Sequence, residues 1–261
     1  MGVAAEVQPV HLPSWTRTLN EAEALTLLDH ARPGMELARW SREGHELLPQ
    51  ASLPRRRELI RIVREDLVDH DGTTILESAY GRLVRTGSPH RRRGLLHGRL
   101  LRRRPLVEPA LATLIAPALA RADAPLAAYD ADVIPGRAWD DWLYGVLRPG
   151  IPEEAFRKSR TTLQKALADV GVLTITGATA RTTRARHAEP DGVAWAWVLA
   201  AELASGSPEI SDTQAVRDSF AARLFGTRPE YGGSCIEAGI GEGLLRRSYL
   251  AGAPRLLVGE F

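Results

Sequence analysis

The sequence predicts a mainly α protein, and three observations predict it. Apolar residues recur at the three-and-four spacing of amphipathic helices through most of the chain, Pro and Gly punctuate those runs at helical lengths, and clear strand alternation is confined to residues 172–176. Together they divide the chain into a helical N-terminal bundle (1–134), a winged-helix-like central module (135–190) and a helical C-terminal extension (191–261). The composition agrees: 261 residues that are 44% apolar and 25% charged can bury a core.

The elements follow in order. Residues 20–28 open with Asn20 as a cap and place acids in the first turn, which starts a helix. After Pro33-Gly34, residues 35–48 continue helically. Pro54 stands at the mouth of a third helix whose Leu59, Ile62, Val63 and Leu67 form one apolar stripe. Residues 73–85 and 90–104 predict two more helices, and Pro109, Pro117 and Pro125 space out two short ones. Residues 137–147 predict a helix closed by Pro149-Gly150. The next runs from Pro152 through Val170, buries Phe156, Leu163, Ala166, Leu167 and Val170, and stops at Gly171. Residues 192–204 and 212–225 are helical again. The tail is less determinate, with 234–249 open to a helix despite three glycines and 255–258 to a closing strand.

Charge distribution says more than the total of +2. Between residues 51 and 104 fourteen Arg face six acids, and between 153 and 187 seven cations face three. All cations but Lys158 and Lys165 are Arg, whose planar fork matches phosphate oxygens. On the helix after Pro152, Arg157, Lys158, Arg160, Thr161, Gln164 and Lys165 are candidate contacts for a nucleic acid, DNA or RNA. In the basic wing at 177–187 the candidates are Arg181, Arg184 and Arg186. A winged helix lays its helix on the duplex and its hairpin on the backbone, so cations are wanted in both places. The alternatives are a solvated helix with a basic loop, or a winged helix used for protein contact. In the first island Arg92, Arg99 and Arg103 are close in helical angle and could extend a phosphate track. The alternative there is pairing with acids brought near by folding, such as Asp66 or Asp69.

Nothing else in the sequence argues for chemistry. GxxxxGKS/T, HExxH and GxSxG are absent, and Gly239-Ile240-Gly241-Glu242-Gly243 lacks dinucleotide spacing. Asp130 and Asp132 predict turn caps; a nuclease would need them, or Glu153 and Glu154, to converge around a metal. Trp139 and Trp142 predict core packing; Trp195 and Trp197, spaced i, i+2, cannot share one helix face, which leaves core packing or partial exposure of one of them open. The single Cys235 predicts a buried thiol. The expectation is therefore a protein that is not an enzyme, with no cofactor and no metal. No apolar run spans a bilayer and the first fifteen residues lack a secretory pattern, so a cytoplasmic address without a membrane partner is expected.

The segment WDDWLYGVLRPGIPEEAFRKSRTTLQKALADVGVLTITG, residues 139–177, resembles the C-terminal part of the BrxA family, accessory proteins of BREX phage-exclusion systems. A tryptophan-bearing helix, a Pro-led start, a Thr-containing helix and a Gly-then-apolar exit carry the likeness. It implies a mainly helical, non-catalytic DNA-binding protein acting with other antiviral defence proteins of a bacterium, with Arg157, Lys158, Arg160, Thr161 and Lys165 on the contact helix. The 74 residues beyond His187 depart from the family pattern. An assembly subunit docking acidic proteins, or a helix-turn-helix regulator, would share the same core.

Overall fold

The computed structural model describes residues 20–48, 51–147, 151–176, 182–206, 208–250 and 253–259. The fold is mainly α with two small antiparallel sheets. The chain forms two units, one of Arg104–Ala188 and one that joins Leu19–Arg103 to Glu189–Phe261. Residues after 189 are therefore no separate extension: they complete the core begun by the N-terminal helices. Among the described residues no helix is long and apolar enough to cross a membrane.

The discontinuous unit begins with α1 (Glu21–His30), where the Asn20 side chain accepts from the Ala22 N–H at 3.1 Å, and α2 (Leu37–Glu46). The fully buried Trp40 ties them by donating from its indole to the Leu27 carbonyl at 3.1 Å. In α3 (Leu53–Asp66), Leu59, Ile62 and Val63 are buried as the stripe predicts. The helix expected over 73–85 is shorter, α4 (Ala79–Thr86). Asp71 accepts from the Thr73 and Thr74 N–H groups and the Thr73 hydroxyl, and Thr74 and Ile75 form bridges to Glu36 and His70. That turn chemistry holds 73–76 extended before Ser78 can cap the helix. Next comes α5 (Pro89–Arg102), capped by Ser88.

The continuous unit opens with α6 (Val107–Ala110), a π-helical turn (Leu111–Ile115) and α7 (Ala116–Ala122) in one helical run. Pro117 brings no N–H to this run, and the backbone widens just before it instead of breaking into two separated helices. The two-residue strand β1 (Val133–Ile134) precedes α8 (Gly136–Val146) and α9 (Glu153–Asp169). Gly171, at φ +92°, ends α9 and turns the chain into β2 (Leu173–Thr176), which pairs with β3 (Thr182–Ala185). β1 pairs with the other edge of β3, in the sheet order β1-β3-β2. A helix pair followed by a hairpin whose second strand binds a short strand from ahead of the helices is the winged-helix topology. Its core is keyed by Trp139, which donates from its indole to the fully buried Thr183 hydroxyl at 2.9 Å and so bolts α8 to β3.

The chain returns to the first unit through α10 (Gly192–Ser205), capped by Asp191, whose carboxylate accepts from the Val193 and Ala194 N–H groups. Ten of its fourteen residues are buried, as befits a helix apolar on every side. Trp195 and Trp197 are consequently both buried, and neither takes the partial exposure that i, i+2 spacing left open. Then follow β4 (Glu209–Ser211), α11 (Asp212–Asp218), α12 (Phe220–Phe225), α13 (Pro229–Gly241), β5 (Leu245–Leu250) and β6 (Ala253–Val258), with sheet order β4-β6-β5. The helix allowed over 234–249 stops at Gly241; Gly243, at φ +76°, lets the chain turn into β5. Cys235 is fully buried, and burial pushes its thiol up to about 12, leaving it unreactive at neutral pH.

α10 packs against α5 and α13 at a distance that only glycine permits. A Cβ at Gly94 would lie 2.7 Å from the Ala194 Cβ, at Gly98 2.5 Å from a Val198 methyl, and at Gly239 2.4 Å from the Ala196 Cβ. Elsewhere on α13, Gly233 faces open space. Gly239→Ala should destabilise by about 1–3 kcal/mol through overpacking, even though alanine favours the helix. Gly233→Ala on the same helix should stabilise by about 0.5–1 kcal/mol. Urea denaturation of the two variants checks this, and equal effects would refute the close approach.

Candidate nucleic-acid interface

The outer face of α9 carries Arg157, Lys158, Thr161 and Lys165, all exposed, opposite the buried Phe156, Leu163 and Leu167. Arg157 pairs with Glu153 one turn earlier at 2.9 Å, a solvent-exposed i, i+4 contact worth little to stability. Among the described residues Lys158 and Lys165 enter no ion pair. The Thr161 hydroxyl donates to the Arg157 carbonyl at 3.0 Å and keeps its lone pairs outward.

Three predicted contacts stand differently. Arg160 is turned in towards α8 and pairs with Asp140 at 2.5 Å, its side chain only 14% exposed. Gln164 is completely buried, and neither atom of its amide has a hydrogen-bond partner. Its helical angle puts it beside Leu163 on the core side, which the spacing rule missed because the apolar stripe is wider than three residues. Arg184 lies in β3, pairs with Asp132 at 2.9 Å and covers the Tyr129 ring at 5.2 Å. Arg186 is exposed and donates to the Gly171 carbonyl at 2.7 Å, so it braces the exit of α9. Arg181 lies outside the described residues.

The sequence reading omitted Arg137 and Tyr144. Arg137 is 90% exposed at the start of α8, and Tyr144 stacks on Phe156 with ring centres 4.0 Å apart. With Asp140, Glu153, Arg157 and Arg160 they line an open cleft of about 700 Å³ beside the first half of α9. A Pro-Gly start followed by Arg at a helix N-terminus was the available signal. The acids in that cleft make it less favourable for phosphate than the outer stripe of α9.

The first basic island folds differently from a phosphate track. Arg92 pairs with Asp29 at 2.6 Å, Arg99 makes a two-pronged contact with Asp69 at 2.6 and 2.8 Å, and Arg103 sits 3.7 Å from Asp66. Arg91 spans Asp191 and Glu242, and Arg93 reaches Glu21. The acids that neutralise α5 come from α1, α3, the turn after α3, and the segment around α10 and α13, so pairing rather than parallel exposure is what folding produces. Burial works against the Asp69 carboxylate, yet the hydrogen bonds and charge of Arg99 overcome it and hold the acid below its ordinary range. Hydrogen bonding from His97, against burial and with help from Arg93, brings Glu21 down to about 2. Among the described residues no three of His, Cys, Asp and Glu gather as metal ligands, and Asp132 is held by Arg184.

No family model matches the chain, nor does any curated protein. Two solved structures do. The chain is similar to a magnesium-ion-bound SspB crystal structure at 12% identity, with TM-score 0.52, over 94% of this chain and 81% of that one. It is similar to a second SspB crystal structure at 11% identity, with TM-score 0.54, over 94% and 82%. At this identity the likeness is one of fold.

Two expectations follow from the placement of these side chains. Gln164→Leu should raise stability by about 1 kcal/mol, because an unpartnered buried amide costs about 1–3 kcal/mol, and should leave any nucleic-acid binding unchanged; thermal melting and gel retardation read both. Glu21, with its carboxyl lowered from 4.5 to about 2, contributes stability that is present above its unfolded value and is lost as pH falls through the folded one. Glu21→Gln should therefore flatten the decline in melting temperature between about pH 4.5 and 2. An unaltered acid limb would show that Glu21 is not coupled to folding.

Proposed function

We propose that this protein is a non-catalytic nucleic-acid-binding accessory protein, acting on duplex DNA within a bacterial phage-defence system. One observation carries the binding: the outer face of α9, in the position of a winged helix's contact helix, presents Arg157, Lys158, Thr161 and Lys165 to solvent. Arg186, just after β3, is a further exposed cation of the same unit. The defence setting rests on the resemblance of residues 139–177 to the BrxA family. The SspB structures add a shared fold and no contact residue.

Contact through a few cations and a hydroxyl is backbone-dominated. Neutralising about three phosphates gives a decline of about 2.7 decades in affinity per decade of salt. The test is retardation of a labelled duplex by the full chain across a salt series. Lys158→Glu with Lys165→Glu should lower affinity at least tenfold, with melting unchanged. A salt-independent affinity, or full binding by the double variant, would defeat the reading. Since one of the SspB structures carries magnesium, the same duplex is incubated with and without that ion, and cleavage would overturn the non-catalytic assignment. Partner capture that survives nuclease treatment, with no retarded duplex, would favour an assembly subunit instead.

A further inference from the structure

Within the discontinuous unit, the C-terminal end of α5, the start of α4 and the middle of α10 line a pocket of about 270 Å³, just below the range for drug-sized ligands, about 300–1,000 Å³. Three guanidiniums, those of Arg99, Arg102 and Arg103, line it against one carboxylate, Asp69. Arg99 and Asp69 satisfy each other through their two-pronged contact, and the Tyr80 ring, 4.3 Å from the Arg99 guanidinium, fixes that pair in place. Of the other two guanidiniums, that of Arg103 lies near Asp66 and donates to the Glu65 carbonyl at 2.7 Å, whereas Arg102 has no carboxylate partner among the described residues.

Arg102 is the unusual member. Its guanidinium donates to the neutral Ser205 hydroxyl, and among the described residues no carboxylate lies within ion-pair distance of it. Glu202 acts on it from further away, with a carboxylate oxygen already accepting from the Phe220 N–H at 2.9 Å. Burial, eased by Glu202 and reinforced by neighbouring Arg103, lowers the Arg102 pKa, so the cation is held in the wall at a cost that a bound anion would relieve. Arg103 is 48% exposed, with Asp66 as a long contact at 3.7 Å. Ser78, Ala79 and Tyr80, at the start of α4, line the pocket with these two; the Ser78 side chain already accepts from the Gly81 N–H, which leaves the Ala79 and Tyr80 N–H groups as the donors without an acceptor inside the helix. Tyr80 lines the same pocket, and its hydroxyl is buried with no hydrogen-bond partner.

We infer that this pocket binds a small phosphate-bearing molecule, held by Arg102 and Arg103 against the first turn of α4. Paired guanidiniums and helix N–H groups converging from different sides suit a tetrahedral oxyanion better than a planar carboxylate. The volume admits a phosphate and a modest substituent, and none of the lining residues belongs to α9. The site is thus independent of the proposed α9 surface, and it gives Arg103 a ligand different in kind from the track its sequence position implied.

The test is calorimetric titration of the full chain at low ionic strength with inorganic phosphate, adenosine 5′-monophosphate and adenosine, alongside thermal melts. Phosphate and the nucleotide should bind and raise the melting temperature, and adenosine should do neither. Equal affinity for the first two identifies any phosphate as the ligand, and tighter binding of the monophosphate identifies a nucleotide. Arg102→Met should weaken binding at least tenfold while leaving duplex retardation unchanged, which separates this site from the α9 surface. If that variant melts low without ligand, Arg103→Gln, at an exposed position, takes its place with the same expected loss. Absence of heat and of any melting shift at millimolar phosphate and nucleotide would overturn the inference, as would undiminished binding by both variants.

Discussion

The structure depends on how closely α10 can approach its neighbours. This helix carries no charged residue from Gly192 to Ala201 and is walled by α5 on one side and α13 on another. Gly94, Gly98 and Gly239 remove the atoms that would hold those helices apart, and the Ala and Val side chains of α10 fill the space instead. Close backbone approach multiplies dispersion contacts that are individually small. It also fixes α5, and with α5 the position of every arginine along it. The pocket lined by Arg99, Arg102 and Arg103 exists because α10 closes it with Trp197 and Ala201.

Much of this architecture was legible in the sequence because helices announce themselves locally. Asn20, Ser88 and Gly171 mark boundaries through hydrogen bonds or backbone angles that a residue and its immediate neighbours decide. The losses came where distant partners decide. β1 has two residues, too few to show alternation, and is a strand only because β3 lies beside it. Residues 73–76 have helix-compatible composition but are drawn out by Asp71, by a bridge from Ile75 to His70 and by one from Thr74 to the distant Glu36. The same limit divides the basic clusters. Arg157 finds its partner on its own helix, whereas Arg92, Arg93 and Arg99 find theirs 63, 72 and 30 residues away, so only folding reveals that their charge is already matched. Gln164 shows the converse, a polar residue whose helical angle sends it inward without a partner.

The two units use arginine in opposite ways. Along α5 the guanidiniums act as cross-links to several other segments, and desolvated pairs of this kind fix geometry more than they add stability. On α9 the cations other than Arg160 face water, where their field reaches beyond the surface and is limited chiefly by salt. A count of basic residues cannot tell these uses apart. Burial and partner identity can: Arg92 and Arg99 of α5 are drawn to carboxylates, whereas Arg157, Lys158 and Lys165 of α9 are turned to solvent.

The winged-helix unit interrupts the other unit, and this interruption sets an order in time. Residues 19–103 leave the ribosome with the apolar side of α5 uncovered, and its cover, α10, lies beyond the 85 residues from Arg104 to Ala188. At translation speeds of about 5–20 residues per second the wait is roughly 4–17 s. The inserted unit can close on itself during that interval, while the half-made core around it stays open to chaperones and to misassociation until Gly192–Ser205 arrives. Biogenesis of the larger unit is therefore tied to completion of the smaller one, an obligation imposed by chain connectivity alone.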